Sequence, residues 1–382
     1  MDLDQSHPAI SDLARTARRR IPFFAWEYLD SATGDDRART RGEAALDGVR
    51  LMPHALRGMS APDLTAHLLG RTYPLPVGIG PVGMSGLIWP DAERLLARLA
   101  AREGLPYVLS TVAAATPEEV GPRAGEQGWF QLYPPGDAEI RDDLLARAKA
   151  AGFHTLVLTA DVPAPSRRER LRRVRLTNPV KMTPRTFLDA ARRPEWALGH
   201  LARGVPSLKT LAPYAPTGPS RGSTEHVGYL LRTAPDLDYL RALRAAWEGP
   251  LVVKGVMHPE SARSAVEAGA DAVWVSNHGG RQFDGGPAPI RALPEIRSVL
   301  GPDVPLIYDS GIRSGLDILR ALALGADFCM VGRAVHYGLA AFAAKGAAHA
   351  IHILRAQMEA DMAQLGCARL ADLPAHVVKE GA

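Results

Sequence analysis

The sequence predicts an α/β chain of the (β/α)8 TIM-barrel class, with an N-terminal helical extension and a long insertion after strand 4. Three observations carry this. Eight short apolar runs, at 75–79, 107–109, 129–132, 155–158, 251–253, 272–275, 305–308 and 328–331, recur from about residue 74 onward. Most do not alternate polar with apolar, which marks strands buried on both faces. Segments of helical spacing lie between them, so strand-then-helix repeats along the chain. A doubly wound open sheet is the competing arrangement.

Each element has its local chemistry. Residues 1–70 read as a helical preface, in which Ile21-Pro22 through Tyr28 form a short helix packing on the barrel. Leu95, Leu96 and Leu99 place one apolar face on a helix over 92–102. Thr116, followed three residues later by Glu119, is a capping box that opens the next helix. The stretch 259–268 begins with Pro259 and stops before Gly269, and 314–324 stops before Gly325, the expected start and stop residues. The tail at 349–365 is amphipathic and is expected to close the barrel base.

Between Asp161 and Asp238 no strand is legible. Loops this long are usually functional or mobile. This one opens on a basic run, Arg167-Arg168-Glu169-Arg170-Leu171-Arg172-Arg173-Val174-Arg175. Further on, Thr183-Pro184 caps a helix expected to carry Phe187, Leu188 and Trp196. Two readings stay open: a solvated excursion, or a basic amphipathic contact with an anionic membrane or a partner. The whole chain, 1–382, is read as one domain, with the preface at 1–70 and the insertion at 162–237.

Composition excludes several classes. With 46% hydrophobic and 23% charged residues the chain is not wholesale disordered. A formal charge of +4 on 382 residues is too weak to argue nucleic-acid binding. Cys329 and Cys367 cannot make a disulfide framework or a cysteine zinc site, and no metal site is expected. The first ten residues carry neither the basic stretch nor the apolar core of a signal peptide. No run approaches the ~18 apolar residues of a membrane span. The expected location is the cytoplasm, with peripheral contact at the inner face of a membrane left open.

The chemistry concentrates in Ser276-Asn277-His278-Gly279-Gly280-Arg281-Gln282-Phe283-Asp284, directly after the sixth strand. Barrel active sites sit at this mouth. The two glycines permit positive φ and let a flat ligand approach the backbone. The His278 imidazole can take a proton near neutral pH, and the Arg281 guanidinium can grip a carboxylate with two parallel bonds. A second signal is a phosphate site. Asp309-Ser310-Gly311-Ile312-Arg313 follows strand seven, and Gly332-Arg333 follows strand eight. Barrels bind phosphate with these two loops. A third signal is positional: Pro81, Ser110, Gln131, Tyr133, Thr159, Asp161, Lys254 and His278 fall at or just past successive strand ends and converge on one bowl.

With these residues the sequence resembles the FMN-dependent 2-hydroxy-acid dehydrogenase/oxidase family, which includes glycolate oxidase, membrane L-lactate dehydrogenase and mandelate dehydrogenase. The resemblance runs from about Ile21 to Leu373, and its most specific stretch is Ser276 through Gln282. It implies FMN as cofactor and oxidation of an (S)-2-hydroxy acid, lactate- or mandelate-like, to the 2-oxo acid. It implies His278 as the base, accepting the hydroxyl proton in a hydride scheme or the α-proton in a carbanion scheme, with Asp161 supporting it. Arg281 and Arg168 would bind the substrate carboxylate, and Tyr133 would contact substrate oxygens. Ser110, Gln131, Thr159, Ser276 and the backbone of Pro81, Val82 and Gly83 would meet the flavin, with Lys254 at its pyrimidine end. Asp309 would meet the ribityl chain, and Gly311, Arg313, Gly332 and Arg333 the phosphate. A homotetramer is also implied.

Departures from the family pattern shape the substrate expectation. Trp26 stands where a carboxylate-binding tyrosine is expected, four residues after Pro22, with Tyr28 expected to point elsewhere. Val112 replaces a bulky tryptophan and opens the substrate pocket, and Gly83 is expected to leave room beside the flavin. The reduced flavin would be reoxidised by a quinone or another carrier. A hydrogen-peroxide-forming oxidase, or a relative acting on a peptide- or carrier-bound substrate, are the alternatives. A non-catalytic flavin-binding scaffold would have a damaged site, whereas His278, Asp161, Arg168 and Arg281 are all present.

Overall fold

Each of the eight predicted runs is a strand, trimmed or extended where backbone chemistry requires it. The computed structural model describes residues 2–58, 61–176, 183–214 and 232–378. The strands are β1 (Val77–Ile79), β2 (Tyr107–Ser110), β3 (Gly128–Leu132), β4 (Thr155–Thr159), β5 (Leu251–Val256), β6 (Ala272–Val275), β7 (Leu306–Tyr308) and β8 (Phe328–Val331). They close a parallel barrel in chain order, β8 pairing with β1. β1 and β7 begin after Pro76 and Pro305, which have no N–H to give a ladder. Pro76 offers its carbonyl instead, to Cys329 N at 2.9 Å.

The barrel interior is layered because inward side chains recur every second residue. Val108, Trp129, Val157, Val252, Trp274, Ile307, Phe328 and Met330 fill an apolar layer. One step further toward the C-terminal ends, the same inward rows carry Ser110, Gln131, Thr159, Lys254 and Ser276, all buried. The outward rows, such as Leu109, Phe130, Leu158 and Val273, join the surrounding helices in one larger core.

Two expectations about the ends need correction. The preface is helical over Ile10–Arg20, Phe23–Asp30 and Arg37–Asp47, but its last part is an antiparallel hairpin, Ala66–Leu68 with Arg71–Tyr73. That hairpin closes the barrel base: Ala66, Leu68 and Tyr73 belong to the interior cluster, and the Tyr73 ring meets Phe328 edge-on at 5.3 Å. The tail does not. The helix Arg333–Leu365 breaks at Phe342 and Ala343 and doubles back, so tightly that a Cβ on Gly338 would lie 2.2 Å from the Gly346 carbonyl. Its second half packs outside the barrel against Ile10–Arg20.

The excursion between β4 and β5 carries helices Glu169–Arg173, Pro184–Ala191 and Pro194–Arg203. The one helix expected for Phe187, Leu188 and Trp196 is therefore two. Thr183 caps the first, as expected. The break precedes Pro194, whose ring excludes helical geometry at Arg193. The second helix is fastened to the turn after β1 by Trp196 Nε1 donating to Leu87 O at 3.1 Å and by His200 Nε2 facing Gly86 O at 2.9 Å. Residues 177–182 and 215–231 of the expected insertion lie outside the described residues. Among the described residues, no helix is long and apolar enough to cross a membrane.

Candidate active site

The polar layer is wired before any ligand is considered. Ser110 Oγ donates to Gln131 Oε1 at 2.8 Å, and Gln131 Nε2 donates to Thr159 Oγ1 at 2.9 Å. Lys254 Nζ donates to Ser276 Oγ at 2.9 Å and pairs with Asp309 Oδ2 at 3.2 Å. Burial works against the ammonium, but Asp309 and Asp161 outweigh it and hold the Lys254 pKa above the ordinary lysine value. A cation therefore sits fixed at the barrel mouth.

The loop after β6 turns sharply through His278, Gly279 and Gly280, with φ of +58°, +62° and +76°. The glycines are required by crowding as well as by φ: a Cβ on Gly279 would lie 2.8 Å from Arg333 Nη1, and one on Gly280 would lie 2.9 Å from Arg39 N. The turn aims His278 Nδ1 at Asp161 Oδ1, 3.1 Å away, and Nε2 at the Tyr133 hydroxyl, 3.3 Å away. Asp161 accepts on Nδ1, so the neutral ring carries its proton there and its lone pair on Nε2. Burial lowers the His278 pKa and Lys254 adds to this, while Asp161 opposes both. Asp161 itself is buried, yet the imidazole and Lys254 keep its pKa below the ordinary aspartate value.

Three guanidiniums crowd one wall. Arg281 Nη2 donates to Leu29 O at 2.5 Å, and Arg168 Nη2 donates to Tyr28 O at 3.0 Å. Arg333 donates to the carbonyls of Leu29, Ser31 and Gly279. None of the three is ion-paired with a carboxylate among the described residues, and Arg168 Nε is buried with no hydrogen-bond partner there. Burial and the charges of Arg168 and Arg333 push the Arg281 pKa well down, and burial brings Arg333 to about 10. Like charges largely withdrawn from water without a counter-ion form a site for an anion.

The bowl encloses about 1520 Å3, its open mouth included. Its walls include Pro81, Val82, Gly83, Val112, Tyr133, Arg168, Lys254, His278, Arg281, Asp309, Gly311, Arg313, Gly332 and Arg333, so most of the expected residues converge. Ser110, Gln131, Thr159, Ser276 and Asp161 lie one layer behind. Three expectations need correction. Trp26 is not in the bowl; it is buried against Tyr337, ring centroids 5.6 Å apart. Tyr28 is, donating its hydroxyl to Gly83 O at 2.8 Å, with Arg168 Cζ 5.2 Å and Arg281 Cζ 5.9 Å from its ring centroid. Residues two apart on a helix face apart, and here the second one faces the site. Gly83 leaves no spare room, because its Cβ would lie 2.5 Å from Val112 Cγ2. Sequence reasoning also missed the roof. The excursion supplies Leu171, Leu176, Leu208 and Arg232, whose Cζ lies 3.5 Å from the Tyr133 ring centroid. No local motif marks these side chains.

Residues 17–380 match the model of a family described as FMN-dependent dehydrogenase. The chain belongs to that family. An L-lactate dehydrogenase of Serratia proteamaculans (strain 568) is 37% identical over 380 residues, 98% of each chain. A solved structure of the monotopic membrane protein (S)-mandelate dehydrogenase is 33% identical with a TM-score of 0.91, covering 97% of this chain and 99% of the other. A mandelate oxidase is 30% identical with a TM-score of 0.79, covering 96% and 97%. This FMN-dependent dehydrogenase is thus an oxidoreductase, and its bowl fits the cofactor. Unmatched guanidiniums suit a phosphate or a carboxylate, and the backbone from Gly80 to Gly83 forms part of the wall. Arg313 and Arg333 have other partners here, Arg313 pairing with Glu43 at 3.0 Å.

Proposed function

We propose that this chain oxidises an (S)-2-hydroxy acid to the 2-oxo acid in the bowl, with His278 as the base. One observation carries the reading: one buried and two half-buried guanidiniums, without a carboxylate partner among the described residues, line the same bowl as an imidazole whose Nδ1 is held by Asp161. A substrate carboxylate satisfies planar donors two at a time, so Arg281 and Arg168 are assigned to it, with the Tyr28 hydroxyl beside them. His278 Nε2 takes the hydroxyl proton, or the α-proton in a carbanion scheme, and Asp161 stabilises the imidazolium. Tyr133 holds the substrate oxygen near Nε2.

FMN, when bound, supplies the two-electron acceptor for this oxidation and hands the pair to an external acceptor. Ser110, Gln131, Thr159, Ser276 and the Pro81–Gly83 backbone are assigned to its ring and ribityl chain, and Asp309 to ribityl hydroxyls. Lys254 is assigned to the end where negative charge collects on reduction. Gly311, Arg313, Gly332 and Arg333 are assigned to the phosphate, the two arginines exchanging their present partners for it.

Val112, Leu87, Leu171, Leu176 and Leu208 give the bowl an apolar wall, which favours a side chain larger than a methyl. A quinone or another carrier is the acceptor we favour. The test is anaerobic bleaching of the flavin by 2-hydroxy acids of both hands, followed by admission of a quinone or oxygen. Bleaching by (S)-acids with apolar side chains, and faster recolouring by the quinone, is expected. No bleaching by any 2-hydroxy acid would overturn the reading, and faster recolouring by oxygen would make the enzyme an oxidase.

Peripheral contact with the cytoplasmic face of a membrane through the basic loop is retained. Arg170 is held by Glu27, Asp30 and Asp36 and Arg168 turns into the bowl, while Arg167, Arg172, Arg173 and Arg175 are exposed. The next two helices add exposed Phe187 (64%), Leu188 (51%), Leu198 (64%) and Leu201 (81%), an apolar surface suited to a lipid interface. Replacing Phe187 and Leu201 by Ser should release the protein from anionic vesicles; unchanged sedimentation would end this reading. The assembly proposed is a homotetramer, tested by light scattering.

A further inference from the structure

We propose that Ser85 and His336 are positioning residues that brace the loop after β1 against the loop after β8, and so set the backbone facing the flavin. The proposal rests on the reading of the bowl given above. Neither side chain lines the bowl, and both are buried, at 2% and 1% exposure. His336 Nε2 lies 2.8 Å from Ser85 Oγ, and Ser85 Oγ lies 2.8 Å from Val82 O. His336 Nδ1 lies 2.9 Å from Gly332 O. Val82 and Gly332 are both in the bowl wall, and a Cβ on Gly332 would sit 3.4 Å from Val82 Cγ2.

The tie stands where the sheet stops helping. The β8–β1 register ends at Val331 with Ile79, and Gly80 N donating to Val331 O at 3.0 Å closes the ladder. Beyond that point the strands part to form the mouth. On its other side the β1 loop is held to the β2 loop by Met84 N donating to Val112 O at 2.8 Å. Glu93 Oε1 adds to this hold by accepting from Gly86 N at 3.2 Å and Ala114 N at 2.8 Å. On the β8 side the corresponding tie is made by Ser85 and His336.

The tautomer follows from the partners. Gly332 O can only accept, so Nδ1 carries the proton. Burial pushes the imidazole down to about 4, which leaves Nε2 as an acceptor for the Ser85 hydroxyl. That hydroxyl has one proton and two acceptors in reach, Nε2 and Val82 O, which share it in a three-centre bond and so fix the serine between the two loops. Loss of the Ser85 hydroxyl leaves the buried His336 Nε2 unmatched, and loss of the imidazole leaves the serine only its local bond to Val82 O, so either loss unties the two loops.

The test compares His336→Gln with His336→Asn, beside Ser85→Ala, His336→Leu and the double variant Ser85→Ala/His336→Leu. Gln places its amide where Nε2 lies and still meets Ser85, whereas Asn reaches only Gly332 O. FMN affinity, read from the fluorescence of released flavin, should fall about tenfold in His336→Asn, His336→Leu and Ser85→Ala, as the hydrogen bond tying the two loops is lost. His336→Gln should stay within about threefold of the parent, and the double variant should be no worse than the poorer single, because the pair acts as one unit. kcat should fall with FMN affinity while the substrate KM holds. His336→Asn equal to His336→Gln, additive single effects, or parental affinity in Ser85→Ala would each overturn the brace. A parent protein that neither binds FMN nor bleaches with 2-hydroxy acids would overturn the functional reading and the brace with it. A parent that does both, beside variants indistinguishable from it, would overturn the brace alone.

Discussion

Arg168 and Arg170 are two residues apart and meet opposite surroundings. Arg168 joins Arg281 and Arg333 at the bowl, where cations outnumber anions and the Arg281 pKa is pushed down. Arg170, on the helix Glu169–Arg173, lies among Glu27 (2.7 Å), Asp30 (3.0 Å) and Asp36 (2.6 Å), and their hydrogen bonds raise its pKa despite burial. Arg39 and the Tyr337 hydroxyl complete that second cluster on Asp30. One short stretch of chain thus does two jobs. The anion-rich cluster ties the root of the excursion to the preface, which lets the cation-rich cluster remain uncompensated until an anionic ligand arrives. Charge that is matched internally holds the fold, and charge left unmatched is available for chemistry.

The contrast breaks first if the bowl proves structural. His278→Gln should slow flavin reduction by substrate about a thousandfold, within the range for a lost general base, with FMN retained and Tm nearly unchanged. Reduction within tenfold of the parent rate would remove His278 as base. In the parent, the rate should fall as pH drops through the imidazole pKa, which burial and Lys254 hold below 6.5. The matched cluster should behave the other way. Arg170→Met leaves three carboxylates facing one another, and removing one partner of a buried ion pair costs about 3 kcal/mol. Urea unfolding measures this, and a loss under about 1 kcal/mol would mean that matched charge is not what holds the excursion.

Arg281 sharpens the comparison. Arg281→Lys keeps the charge and loses the planar fork, so KM for the hydroxy acid should rise about a hundredfold. Arg281→Met should leave Tm unchanged or raise it, because a buried repulsion is relieved. A fall in Tm of many degrees would show that Arg281 stabilises the apoprotein. Thermal unfolding of Arg281→Met against the parent separates the two outcomes.

Much of this was legible in the sequence because of periodicity. Inward positions run apolar to polar within two residues, Val108 to Ser110, Trp129 to Gln131 and Val252 to Lys254, so a strand end announces the site. The His278–Arg281 turn was legible because only glycine tolerates its crowding. What was hidden depended on partners distant in the chain. Tyr28 rather than Trp26 reaches the bowl because Trp26 is taken up by Tyr337. The basic run looked like one surface because the carboxylates that claim Arg170 lie in the preface. The hairpin at the barrel base was unreadable because strands of three residues carry no period, and the excursion's roof over the bowl left no local signal at all.

The smallest expected effect tests the matched cluster from its acid side. Burial alone would raise the Asp30 pKa, but Arg39, the Tyr337 hydroxyl and Arg170 outweigh it and bring it from 3.8 to about 2. A carboxyl whose folded pKa is depressed binds fewer protons in the folded state, so its contribution is full well above 3.8 and is lost as pH falls through about 2. At about 1.4 kcal/mol per unit the shift is worth about 2 kcal/mol. Stability measured by urea unfolding should therefore decline across that window in the parent and decline less steeply in Asp30→Asn. Parallel slopes would mean that Asp30 titrates normally, and that Arg170 is held by Glu27 and Asp36 without it.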